Sequence, residues 1–160
     1  MTPRHAPGHW SRWGNLGSTL ATIFVVAVLC NYPWELAQVP LYVGMARFRT
    51  TWWHCFVASV GDGLLVLGIF AVGWVALRWQ EWFMHPGVQG YVVMVAAGLV
   101  MGITIEWVAV HALGRWMYTA RMPLVTGLDV GLVPVAQMLV LPLLIFRIVA
   151  IWRGRTAGAA

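Results

Sequence analysis

Three carboxylic acids stand inside long apolar runs of this chain: Glu35 in NYPWELAQVPLY (31–42), Asp62 in VASVGDGLLV (57–66) and Glu106 in GITIEWVAV (102–110). Asn31, Glu35 and Gln38 have i, i+4, i+7 spacing, which puts them on one face of a helix. Cys55, Ser59 and Asp62 share a face of a second helix, with His54 at its mouth. Gly98, Gly102 and Glu106 recur every four residues, a small-residue stripe ending in a carboxylate, which turns Glu106 toward a neighbouring helix. Gln137 follows Pro134 in the last apolar run. An ionised carboxylate in the middle of hydrocarbon costs about 2.5–3.5 kcal/mol. Three of them must therefore bind a cation, pair with Arg115 or His54, or keep their protons. Each option is also a way of building an acid–base or metal site. Glu106 and Glu35 are the candidate proton donor and acceptor, with Asp62 and His54 tuning them. Gln38, Arg115, Trp116, Tyr118, Arg121 and Gln137 are the candidate substrate contacts; Arg115, Tyr118 and Arg121 would meet a polar headgroup.

The same residues have plainer uses. Asn31, Gln38 and Gln137 can be hydrogen-bonding glue between helices, and the three acids a buried network that only fixes packing. Asp129 reads as a helix N-cap or first-turn acid, and His54 and His111 as interfacial residues. His5, His9 and His85 read as loop residues. Cys30 and Cys55 fall at different depths, which argues against a disulfide and for small apolar fillers. A carboxylate-rich metal site around His54 lacks an HExxH or ExxH pair. A haem held by His54 and His111 lacks a CxxCH motif. No serine triad, P-loop or dinucleotide fingerprint is present, and no cofactor or metal is expected.

These residues need helices to hold them. The chain has 160 residues, 61% hydrophobic and 9% charged, against about a quarter charged in a soluble domain. Apolar stretches longer than the roughly 20 residues that cross a bilayer recur along it. The expected fold is all-α: a polytopic integral membrane protein of four transmembrane helices in a single domain. Spans are expected near 17–41, 54–77, 88–113 and 128–151, with 1–15 and 152–160 as tails and a kink at Pro33. The segment near Cys30 lacks a signal-peptidase pattern, so the first helix is expected to stay in the mature protein. Trp52, Trp53, Trp79, Trp82, Trp116 and Trp152 fall near the span ends, as in aromatic belts. All ten basic residues are arginine. They are scattered in tails and loops, which argues for orientation and headgroup contact and against nucleic acid. Arg4, Arg12, Arg78, Arg153 and Arg155 outnumber Arg47, Arg49, Arg115 and Arg121, which favours both termini inside. Depth counting then brings Glu35, Asp62, Glu106 and Gln137 to one leaflet, on the side of the first and third loops.

The stretch EWVAVHALGRWMYTARMPLVTGLDVGLVPVAQ (106–137) resembles the membrane-embedded carotenoid cyclases of the lycopene cyclase-domain type and the related carotenoid hydratases. Glu106 matches their glutamate ahead of the aromatic turn, and Trp116 and Tyr118 match the aromatic pair. Where the cyclases carry an acid after the proline, Pro134 is followed here by Val135, Ala136 and Gln137. The resemblance implies protonation of an isoprenoid double bond by an intramembrane acid, without metal or redox cofactor. A looser likeness to emopamil-binding-type sterol isomerases rests on Glu and Trp content.

The expectation is thus a bacterial inner-membrane protein that binds an isoprenoid or lipid substrate among membrane lipids and acts on it by acid–base chemistry, alone, as a homo-oligomer or in a membrane complex. A non-catalytic accessory or assembly protein is the alternative, and a small transporter the second.

Overall fold

The computed structural model describes residues 9–45 and 50–157, with side chains from residue 16 to 155. Four helices dominate: α1 (His9–Gln38), α2 (Thr51–Leu77), α3 (Gly87–Trp107) and α4 (Leu132–Ala157). A 3-10 turn (Val39–Leu41) extends α1, and a π-turn (Val108–Ala112) extends α3. All four are long and apolar enough to cross a membrane. Many of their large apolar side chains are exposed on the outside of the bundle, among them Leu29, Leu64, Val75, Val88, Val100 and Leu144.

The structure departs from the sequence reading at the helix ends. The first helix starts at His9, inside the expected tail, and the fourth runs on to Ala157. The fourth also starts later than expected, at Leu132. The preceding segment forms a hairpin of β1 (Leu124–Val125) and β2 (Val130–Gly131), so the fold is helical with a two-stranded addition. Gly127 (φ +82°) and Asp129 (φ +51°) turn that hairpin through left-handed backbone. Asp129 is therefore a turn residue and not a helix cap, aspartate being one of the few residues that tolerate this region. Pro134 falls in the first turn of α4, where its missing N–H leaves no helical bond unmade.

Trp82 also departs from expectation. It is only 1% exposed, its Nε1 donates to Phe70 O at 3.2 Å, and it packs on Phe146. Gly73 makes the room: a Cβ there would lie 2.2 Å from the indole ring. Trp79 stays at the surface, as an interfacial tryptophan should. Around Trp82, the residues Ile69, Phe70, Phe83, Ile145, Phe146 and Val149 form a dense apolar core.

Between α3 and α4 the small-residue stripe does what its spacing implies. A Cβ on Gly98 would lie 2.2 Å from Met138 O, and one on Gly102 would lie 3.1 Å from Met138 Cβ. Pro142 explains the first contact: lacking an N–H, it leaves Met138 O without its helical donor. The bare Gly98 backbone lies against that carbonyl, where a side chain would not fit.

Candidate functional site

At the other end of the bundle the polar residues converge. Gln137 on α4 is 2% exposed, and its Nε2 lies 2.8 Å from Asn31 Oδ1, 3.0 Å from Glu35 Oε1 and 2.8 Å from Asp62 Oδ2. Gln38 Nε2 donates to Glu35 Oε1 at 2.6 Å and to Gln137 Oε1 at 3.3 Å. Asn31 is tied to its own helix through Ala27 O at 2.8 Å. Three helices thus meet on one amide nitrogen. That nitrogen carries two hydrogens and faces three acceptors, so the group is one hydrogen short. Glu35 of α1 and Asp62 of α2 thus meet on the same Gln137 amide nitrogen.

Glu106 forms a second cluster. It is 4% exposed, and its Oε1 accepts from Trp116 Nε1 at 3.2 Å and from Tyr118 OH at 2.5 Å. Tyr118 OH in turn accepts from Gly131 N at 2.8 Å, at the threshold of α4. The aromatic pair is held over the glutamate by the backbone. Gly114 (φ +56°) reverses the chain after the π-turn, and the returning strand pairs with the end of α1. Val43 N donates to Met117 O and Thr119 N to Leu41 O, each at 2.9 Å, with Tyr42 opposite Tyr118. Tyr42 packs edge-on against Trp116 and tilted against Tyr118. Burial holds both phenols well above their usual titration range; the Glu106 contact adds to this for Tyr118 and the nearby acids for Tyr42.

The two clusters face a common cavity of about 570 Å³, within the roughly 300–1,000 Å³ of small-molecule sites. Glu35, Gln38, Asp62, Glu106, Trp116 and Gln137 all line it, with His54 and Arg115. The remaining wall is apolar, including Val57, Leu65, Ile105 and Met138. Among the described residues, none of the three acids is ion-paired with a basic side chain; amide, phenol, indole and carboxyl groups surround them instead. No group of three or more His, Cys, Asp or Glu among the described residues is arranged to hold a metal ion.

No protein-family model, curated protein or solved structure matches the chain.

Of the residues singled out from sequence, His54 lines the cavity but is exposed, and its Nδ1 lies 2.9 Å from Thr50 O. Arg115 lines the cavity from the surface. Tyr118 acts through Glu106 and is not part of the wall. Arg121 is exposed and does not line the cavity; its backbone N–H caps onto Thr119 Oγ1 at 3.4 Å. His111 is exposed on the π-turn, its ring tilted against Trp107. The sequence reading passed over Tyr42, which lines the cavity and anchors the aromatic lid. Its signal was present: 31, 35, 38 and 42 continue one helical stripe, although the chain leaves α-helical geometry after Gln38.

Proposed function

We propose that this is an integral protein of a bacterial inner membrane, with both termini cytoplasmic, that binds an isoprenoid or lipid substrate in this cavity and acts on it by acid–base chemistry. One observation carries the reading: three carboxyl groups, none paired with a basic side chain among the described residues, border a cavity whose other walls are largely apolar. A packing network of charges would set cations against those acids, because an uncompensated buried charge costs several kcal/mol. Uncharged partners suit groups that gain and lose protons.

The chemistry is redox-neutral. Glu106 delivers its proton to one carbon of a double bond, leaving a carbocation on the other. A carboxylate of the Glu35–Asp62 pair removes a proton from a neighbouring carbon, so the double bond migrates or a ring closes. Proton return between the two clusters restores the starting state. Tyr118 and Trp116 fix the Oε1 edge of Glu106, and both hydrogen bonds to that carboxyl fall on this one oxygen. Oε2 is then the oxygen from which a proton would leave. The resemblance of residues 106–137 to carotenoid cyclases supports the same reaction class. Where those proteins place an acid after the proline, Gln137 here gathers the acids of α1 and α2 instead.

A non-catalytic accessory role is favoured by one feature: Asn31, Glu35, Gln38, Asp62 and Gln137 close into a network among themselves. Comparing lipid and isoprenoid extracts of cells with and without the gene separates the two. A substrate–product pair that changes with the gene supports the enzyme. An unchanged profile, with a membrane partner lost or destabilised, supports the accessory role.

A further inference from the structure

The walls of the cavity are not equally closed. Val39, Tyr42, Gln137 and Met138, on the side of the first and fourth helices, are all buried. On the flank between α2 and α3 the lining residues are also part of the outer surface. Val57 is 53% and Ile105 46% exposed, and Ala58 and Gly61 are exposed as well. Gly61 has no side chain with which to form a wall, and a Cβ there would meet no atom within 4 Å. Two turns further along α2 the helices close. A Cβ on Gly68 would lie 3.2 Å from Met101 Cε, and one on Gly98 would lie 3.8 Å from Ile69 Cδ1. The gap at Gly61 is deep. Helix α2 has 27 residues, about 40 Å of length against about 30 Å of hydrocarbon. With the helix centred in the bilayer, Gly61 lies roughly 10 Å below the hydrocarbon boundary.

We propose that the cavity is entered sideways: the hydrocarbon chain of a bilayer amphiphile passes from the membrane between Gly61 and Ile105. The lips of the gap, Val57, Ala58, Gly61 and Ile105, are apolar or bare, so they suit a chain and offer no side-chain hydrogen bond to a polar group. Transfer through this flank keeps the chain out of water throughout, so its apolar surface is never hydrated on the way. The contact of Met101 with Gly68 closes the gap below, and the chain is turned inward toward the acids. An open flank also lets a chain longer than the cavity leave its remainder in the bilayer. Only the part that reaches Glu106, Glu35 and Asp62 is then enclosed. Gly61 sets the width of the entrance. A water-soluble ligand would use the other end, where exposed His54 and Arg115 border the cavity. The inference deepens the reading of this cavity as a lipid or isoprenoid site and rests on it.

The test is photolabelling of the full chain in phosphatidylcholine nanodiscs. A small share of the lipid is phosphatidylcholine with a diazirine at mid-chain, a probe confined to the bilayer. Adducts are located by peptide mass spectrometry after irradiation. They are expected inside the cavity, at Tyr42 or Met138, as well as on the outer surface at positions such as Val100, which is 64% exposed. Gly61→Phe sets a ring in the gap and should lose the interior adducts while keeping the outer ones. Ala58→Phe is the second entrance variant, with the same expected loss, should Gly61→Phe fail to fold. Val75→Phe, on the same helix, 77% exposed and away from the cavity, should keep both kinds of adduct. Interior adducts missing from the unmodified protein, or undiminished in both entrance variants, would overturn the proposal. Interior adducts that depend on the entrance, with an unchanged cellular lipid profile, leave the proposal standing and remove the acid–base reading. A gene-dependent lipid change without interior adducts does the reverse.

Discussion

Glu106→Gln separates a proton donor from a structural carboxylate, because the structure makes their consequences differ in size. The amide oxygen can keep both bonds that Oε1 accepts, from Trp116 and Tyr118. Tyr118 then still receives Gly131 N–H, and the threshold of α4 stays tied down. The new NH₂ replaces the oxygen assigned to the cavity. The stability change should stay within about 1 kcal/mol, the scale of one net hydrogen bond. That is roughly 2–4 °C in Tm for a chain of this size. Breaking a buried ion pair would cost about 3–5 kcal/mol, but no basic side chain among the described residues is paired with Glu106. The loss of a general acid, by contrast, lowers turnover about 10²–10⁴-fold. The assay is paired: melting of the purified variant, and restoration of the lipid profile in cells lacking the gene. A variant that melts normally and restores nothing is the expected result. One that melts normally and restores the profile fully would refute the catalytic assignment. One that melts more than about 10 °C early would instead show a charge-bearing structural role.

Other outcomes follow from individual contacts. Gly98→Ala should destabilise by about 1–3 kcal/mol, the usual cost of overpacking, because its Cβ would meet Met138 O at 2.2 Å. Gly61→Ala, with open space around its Cβ, should be neutral or gain up to about 1 kcal/mol from helix propensity; thermal melts of the two variants check the contrast. Tyr42 and Tyr118 keep their protons in the folded state to higher pH than free phenols. Their contribution is therefore fully present below about pH 10 and falls as the pH rises through the folded-state titration. The chain has no lysine to titrate alongside them, so Tyr118→Phe should flatten the decline of Tm between about pH 9.5 and 11. A reporter fused at Ala160 should be active in the cytoplasm and one inserted near Thr126 in the periplasm; the reverse pattern would overturn the orientation.

The helices and their polar faces were legible in the sequence because apolar periodicity and depth are local properties. Asn31, Glu35 and Gln38 share a face by spacing alone, and Gly98, Gly102 and Glu106 announce a close helix contact by theirs. What escaped was set by partners distant in sequence. Trp82 looks like any interfacial tryptophan until the space above Gly73 is known. Asp129 has the composition of a cap, but the pairing of Val125 with Val130 puts it in a turn. Tyr42 lay outside the reading because the strand that fixes it arrives from residues 117–119. Arg121 was drawn in by its nearness to Tyr118 along the chain, and the turn carries it off the cavity wall.

The division of the bundle explains how such a site could be tolerated. At one end, Trp82, Phe83, Phe146 and their neighbours pack without a buried charge. At the other, a cavity replaces core, which forfeits dispersion contacts and leaves polar groups to be satisfied individually. The three acids meet neutral partners on other elements: Gln137 of α4 for the acids of α1 and α2, and the 116–118 turn for Glu106. Neutral partners allow a proton to come or go without stranding a counter-ion in an apolar bundle. An arginine in the place of Gln137 would bind Glu35 and Asp62 more strongly, and by fixing both as carboxylates would remove the capacity to exchange protons. The amide at position 137 therefore joins α1, α2 and α4 without setting a fixed charge against Glu35 or Asp62.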